Sequence, residues 1–214
     1  MTMDPTEPNW GRAALLTIDM QNDFALPGGA GFVPGTDDIV PAFARLVNVF
    51  RENRLPIFHA ARLYLEDGSN AERCRQGVLQ NGLSLARPGT SGARVVDVIR
   101  SPREPDVSSS LLAGEYVSLG PSEWLFYKAR WSAFYETGLE KRLQTLGIDT
   151  VVVAGCNFPN CPSATLFDAT ERRFRAALVA DAVSGVTESG LRWCTGIGVT
   201  PLSVDQVQVG VKRR

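Results

Sequence analysis

Two cysteines five positions apart, Cys156 and Cys161, lie in the stretch GCNFPNCPSATLFDATERRF, residues 155–174, and proline follows the second at once. Three uses compete for such a thiol: a disulfide or metal pair, an apolar filler, or a nucleophile. A helix starting at Cys161 takes Pro162 at its first position, where a missing N–H costs nothing. The thiol then stands at the positive end of the helix dipole. With an ammonium nearby, that position lowers a thiol pKa to roughly 3.5–7.5 and makes the thiolate the nucleophile. A buried structural cysteine is the rival use, since free cysteine is among the most buried residue types. A Cys156–Cys161 disulfide is disfavoured in a reducing compartment, and Pro162 stiffens one end of it. Zinc needs about four ligands, or three and a water, whereas the chain has one histidine, His59, and no CxxC pair.

Two charges end apolar runs elsewhere. Asp19 closes AALLTID, residues 13–19, and Lys128 closes EWLFYK. Alone, each has an ordinary use: Asp19 as a helix cap or ion-pair partner, with Asp23 its local rival, and Lys128 as a solvated surface charge. Together with Cys161 they form an acid, an amine and a thiol at predicted strand ends, where open parallel sheets bind their ligands.

The elements that must position these residues alternate. Continuous apolar runs at 13–19, 55–62, 123–129, 150–155 and 175–183 predict strands buried on both faces. Between them, apolar stripes at helical spacing predict helices at 37–53, 136–148, 161–174 and 187–199. The alternating VDQVQV at 204–209 predicts a short edge strand. Residues 63–92 predict a long excursion with a short helix at 71–79, and loops of that length are usually functional or mobile. Strand–helix repetition means α/β: a doubly wound, mostly parallel sheet with helices on both faces. The expected layout is a single domain over 12–210 behind a loose N-terminal arm, 1–11.

Composition narrows the function. With 214 residues, 44% hydrophobic and 21% charged, the chain can bury one sizeable core. Its net charge of −1 carries no basic block, so neither nucleic acid nor an anionic membrane surface is an expected partner. The N-terminus lacks the basic flank and long apolar stretch of a signal peptide, and no run approaches membrane-spanning length. The expected location is the cytoplasm, with Cys74, Cys156, Cys161 and Cys194 reduced.

LLTIDMQNDF, YKARWSAFYETGLEKRL and VVVAGCNFPNCPSATLFDATERRFRAALVADAVSG resemble, in order and from about residue 12 to about 200, the isochorismatase-like cysteine hydrolases. That superfamily includes nicotinamidases, N-carbamoylsarcosine amidase and ureidoacrylate amidohydrolases. The resemblance implies a three-layer αβα fold and a catalytic triad of Asp19, Lys128 and Cys161. It also implies a cis peptide at Cys156–Asn157 and an oxyanion hole made by the Asn157 and Cys161 N–H groups. The implied activity is hydrolysis of a C–N bond in a small amide, lactam or ureide through a thioester, with no cofactor. Homo-oligomers, dimers or tetramers, are also implied. Two departures restrict the choice. Nicotinamidases bind a metal through an Asp-x-His pattern and a further histidine, which this chain lacks, so no metal is expected. True isochorismatases cleave a vinyl ether and lack the cysteine. GCNFPNCP with the insertion RLYLEDGSNAERCR resembles the lactam-opening streptothricin hydrolase subgroup.

Around the triad, Phe24, Trp131 and Phe158 are expected as substrate-binding walls, with core packing their rival use. For Phe134 the core is as good a reading. His59 ends the second strand and is expected to face substrate, with a satisfied histidine against the sheet as the alternative. Arg62, Tyr64 and Glu66 open the long excursion, where they could meet a polar substrate. Two other functions stay open: a non-catalytic small-molecule-binding member of the fold, and a hydrolase of an ester or vinyl ether.

Overall fold

The computed structural model describes residues 4–100 and 103–214. The chain runs through β1 (Ala13–Ile18), α1 (Asn22–Ala25), α2 (Thr36–Glu52), β2 (Ile57–Ala61), α3 (Arg73–Gln80), α4 (Ser108–Leu112), β3 (Val117–Gly120), β4 (Glu123–Tyr127), α5 (Leu139–Thr145), β5 (Thr150–Gly155), α6 (Cys161–Glu171), β6 (Arg175–Val183), α7 (Glu188–Gly196), β7 (Val199–Leu202) and α8 (Val204–Lys212). The strands form one sheet in the order β3-β4-β2-β1-β5-β6-β7. Every neighbouring pair is parallel except β3 with β4.

The apolar runs explain the centre of that order. Every residue of β1, β2 and β5 is buried, as strands covered on both faces must be. From β1 the chain crosses to β2 on one side, and later enters β5 on the other. Right-handed crossovers therefore put α2 on one face and α6 and α7 on the opposite face. α8 joins α2, tied to it by the Arg45–Asp205 ion pair. α5 joins α6 through Arg172–Glu140 at 3.3 Å. The result is the doubly wound three-layer αβα fold expected from the sequence.

Four expectations about elements change. Residues 204–209 are the start of α8, not an edge strand. Val204, Val207 and Val211 are its buried stripe, and six residues are too few to separate a period of two from one of 3.6. A Ser203–Gln206 capping box starts that helix. The edge strands are instead β7, which follows the α7 turn, and β3, which lies in a segment expected to be loop. The short helix of the excursion sits slightly later than expected, as α3. Residues 4–11 of the N-terminal arm are docked rather than loose. Asn9 N–H donates to Thr150 Oγ1 at 3.1 Å, and Arg175 donates to the carbonyls of Asp4 and Glu7. Residues 1–3 of that arm lie outside the described residues.

Candidate active site

Four adjacent strands end in a row: β4, β2, β1 and β5. Their carboxyl ends deliver Lys128, Arg62, Asp19 and, one loop on, Cys161. The row straddles β1, where the strand order reverses, which is the site of ligand crevices in open α/β sheets.

Asp19 sits immediately after β1 with φ +52. That left-handed conformation is one aspartate tolerates better than most residues, and it turns the chain out of the sheet. The Asp19 N–H is still held by Ala60 O at 2.9 Å. Lys128 is fixed in the same way, its N–H donating to Ala61 O at 3.0 Å. Its fully buried ammonium pairs with Asp19 Oδ2 at 2.9 Å and donates to Arg130 O at 3.1 Å. Burial alone would lower the Lys128 pKa, but the Asp19 carboxylate outweighs it and holds the amine above its ordinary value. Asp19 Oδ1 is buried without a hydrogen-bond partner. A free carboxylate oxygen in such a place is a proton acceptor waiting for a donor.

Cys161 is the first residue of α6, with Pro162 behind it. β5 leads there through Gly155, at φ +122, where a Cβ would lie 2.2 Å from Ile18 O. Only glycine lets β5 leave the sheet so close to β1. The Cys156–Asn157 peptide that follows is cis. In this turn Phe158 N–H donates to Ser184 O, Asn160 N–H to Asn157 O and Ser163 N–H to Phe158 O. The Asn157 and Cys161 N–H groups are left without a protein acceptor among the described residues.

The thiol corrects an expectation. Burial pushes Cys161 up to about 12, the Asp19 carboxylate pushes the same way, and Lys128 pulls against both. The helix terminus does not outweigh desolvation, because the ammonium is already committed to Asp19. The resting thiol is therefore protonated rather than a thiolate.

Asp19, Cys161, Asn157 and Phe24 share one cavity of about 110 Å³, with Arg62, Tyr64 and Arg75 on another wall. At Asn160 it adjoins an open surface hollow of about 780 Å³. Three expected substrate contacts lie elsewhere. His59 is buried in the sheet, Nδ1 2.7 Å from Thr17 Oγ1 and Nε2 2.9 Å from Glu123 Oε1. With both nitrogens engaged it has nothing to offer a ligand. Phe158 packs edge-on against Trp193, and its ring leaves no room for a side chain at Gly190. Trp131 lines the outer hollow, with the Arg75 guanidinium 5.1 Å from its ring centre. Phe134 is core, stacked on Phe174. Glu66 is exposed and pairs with Arg87. The rival Asp23 is structural, accepting from the backbone of Ala30 and Ala86. Cys156 is a reduced, buried residue whose N–H ties the end of β5 to Ile18 O.

Sequence reasoning placed Arg75 nowhere, and Arg62 at the end of the second strand as a residue that could meet a polar substrate. The rule that selected Asp19 and Lys128, a charge just past a strand end, applies equally to Arg62. Nothing in the sequence marks Arg75. Among the described residues no three His, Cys, Asp or Glu side chains gather to hold a metal ion. The donor set does not fit the metal of nicotinamidases.

Residues 13–193 match the Isochorismatase domain family. The chain is 31% identical over 180 residues to a protein of Arabidopsis thaliana named "Probable inactive nicotinamidase", covering 83% of each chain. It is 28% identical to the ureidoacrylate amidohydrolase RutB of Methylobacterium radiotolerans, over 78% of this chain and 65% of that protein's length. Among solved structures, an isochorismatase family protein from Desulfovibrio vulgaris superposes with a TM-score of 0.79 at 32% identity, over 95% of this chain and 99% of that one. The chain is a member of the isochorismatase family, which has amidohydrolases among its members.

Proposed function

We propose that this protein is a cysteine-dependent hydrolase that cleaves the C–N bond of a small amide, lactam or ureide through a thioester. The observation that carries this is the buried Asp19–Lys128 ion pair, with Asp19 Oδ1 left without a hydrogen-bond partner and Asp19 lining the same cavity as Cys161. Asp19 takes the Sγ proton as Sγ attacks the carbonyl carbon. A C–S bond forms, and the Asn157 and Cys161 N–H groups hold the oxyanion. Collapse breaks the C–N bond, and Asp19 gives its proton to the departing nitrogen. Water then loses a proton to Asp19 and adds to the thioester. The second collapse releases the carboxylic acid, and Sγ is reprotonated. Lys128 stays charged throughout and compensates whichever of Asp19 or Sγ is anionic. Phe24 adds apolar lining to the same cavity. The small cavity favours a compact substrate, and four unpaired thiols suit a reducing, cytoplasmic setting.

A second reading has a specific observation behind it, the relative named inactive: a binding protein on the same fold. The presence of Asp19, Lys128 and Cys161 together, paired and buried, favours catalysis. Three buried ionisable groups are costly to keep without a use. The test is ammonia release from small primary amides and ureides, and ring opening of small lactams read by product mass, by wild type and Cys161→Ala side by side. Turnover confined to wild type is the expected result. Turnover surviving in the variant contradicts the mechanism, and a panel that binds without turnover supports the binding protein.

A further inference from the structure

Among the described residues, one charge lining the cavity has no partner of opposite sign. Arg62 is 2% exposed and pairs with Glu72 at 2.9 Å. Asp19 pairs with Lys128. Arg75, half-buried on α3, lines the same cavity. Its guanidinium rests between two rings, 5.6 Å from the Tyr64 centre and 5.1 Å from that of Trp131. Among the described residues it has no carboxylate partner, and its side chain donates to no acceptor. Two ion pairs cancel, so the wall is left with one positive charge. A second group points the same way. Arg62 Nε is buried without an acceptor, although Nη1 is bonded to Lys128 O at 2.9 Å and the guanidinium stacks 4.4 Å from the Tyr64 ring centre. Buried donors are nearly always satisfied, so an orphan in a cavity wall marks a place for an acceptor that comes with the ligand.

We propose that the substrate is anionic: a carboxylate, set a few atoms from the scissile carbonyl, accepts from Arg75 and from Arg62 Nε. The assignment of the reacting end rests on the amidase reading above; the anion site rests on the arginines alone. Rings hold Arg75 flat, and a planar guanidinium presents paired donors that match a carboxylate. Phe24 and Val33 give the same cavity apolar lining that suits a short hydrocarbon spacer. At about 110 Å³ the cavity is of the order of the ~150 Å³ space that accepts benzene, so the spacer is short.

Two measurements test this. In the first, wild type and Arg75→Gln hydrolyse succinamate and butanamide, an acidic and a neutral amide of similar length. Wild type should prefer the acid. Arg75→Gln should lose about 10- to 100-fold in kcat/KM on succinamate, the range of a charge-assisted hydrogen bond, and stay within about twofold on butanamide. The variant removes no bond the fold uses. In the second, succinate is titrated into Cys161→Ala by calorimetry, with and without Arg75→Gln. Binding that disappears with Arg75 supports the site. Cys161-dependent turnover that favours butanamide, or falls equally on both amides in Arg75→Gln, overturns the anion proposal and leaves the amidase reading standing. Arg75-dependent succinate binding by a protein that hydrolyses neither amide supports the anion site and sinks the amidase reading.

Discussion

Replacing Asp19 by asparagine should make Cys161 a better target for alkylation while making the protein a worse catalyst. A triad drawn only as base, ammonium and nucleophile predicts that both fall together. The structure separates them because Asp19 acts on the thiol in two opposed ways. At rest its carboxylate, with burial, keeps the thiol protonated, at about 12. At pH 8 only about one thiol in 10⁴ is then ionised. In the proposed reaction the same carboxylate receives the thiol proton. Asparagine removes the anion and leaves the Lys128 ammonium facing the sulfur alone.

A nearby charge moves a pKa by about 1–3. Losing the carboxylate should bring Cys161 to roughly 9–11 and raise its thiolate fraction about 10- to 1000-fold. Nucleophilicity falls with basicity at a Brønsted slope of about 0.4–0.5, so the net gain in alkylation at pH 8 is roughly 3- to 40-fold. Loss of the general base lowers turnover by about 10²–10⁴. The assay is iodoacetamide labelling of each cysteine against pH, read by peptide mass, beside ammonia release. In wild type, Cys74, exposed on α3, should label first. This reverses what the lowered thiol pKa expected at the helix start implies for Cys161. Stripping Lys128 of its partner costs about 3–5 kcal/mol, so melting curves must accompany the variant. If Cys161 labelling falls in Asp19→Asn, in step with turnover and in folded protein, the resting thiol is ionised and the account of the site is wrong.

The buried cluster at the start of β4 makes the fold acid-sensitive. Burial would raise Glu123, but hydrogen bonds from His59 and a bidentate Arg51 bring its carboxyl down to about 2. A depressed carboxyl stabilises the fold above its unfolded value of 4.5, and that stability is lost as pH falls toward 2. The difference corresponds to on the order of 3 kcal/mol. Burial lowers His59 below its ordinary 6.5, so protonation of the unfolded chain adds to the loss from about pH 6.5 downward. Melting temperature should fall steadily from pH 7 to pH 3, and Glu123→Gln should flatten the lower part of that curve; an unchanged curve contradicts the network. Gly155→Ala should cost at least ~3 kcal/mol, or about 6–12 °C in Tm for a chain of this size. A Tm within about 2 °C of wild type would mean that β5 can leave the sheet without the positive φ.

The sheet was legible because it rests on local signals. Buried parallel strands write themselves as apolar runs, so Asp19 and Lys128 could be placed directly after such runs, and Cys161 one loop after another. What was hidden depends on orientation. His59 lies in a strand as visibly as Asp19 ends one. Only the pairing of β1, β2 and β4, which sets Thr17 beside His59 and His59 beside Leu125, shows that its ring is consumed within the sheet. Phe158 sits one residue from the cavity-lining Asn157 and faces α7 instead. The thiol pKa was misread for a related reason: a helix start is local, whereas the competing Asp19 carboxylate arrives from 142 positions away in the chain. Arg75 had no local signal at all, since its place follows from how the excursion folds back over the strand ends.

The order of the strands explains why the proposed chemistry can run in a buried place. Transferring a proton from Cys161 to Asp19 converts a neutral thiol and a carboxylate into a thiolate and a neutral acid. The total charge beside Lys128 is the same before and after. Desolvation of the ammonium and one anion is therefore borne by the fold, and the reaction only moves the negative charge between two acceptors on either side of the same cation. That requires the cation to come from outside the β1–β5 pair that supplies the acceptors. β4 provides it, reaching past the end of β2, with the Lys128 N–H bonded to Ala61 O. Arg62, the residue after β2, lines the same cavity but is paired with Glu72, so its charge is already balanced. A protonated resting thiol is then not a handicap. It keeps the nucleophile unreactive until a carbonyl is present to share the charge.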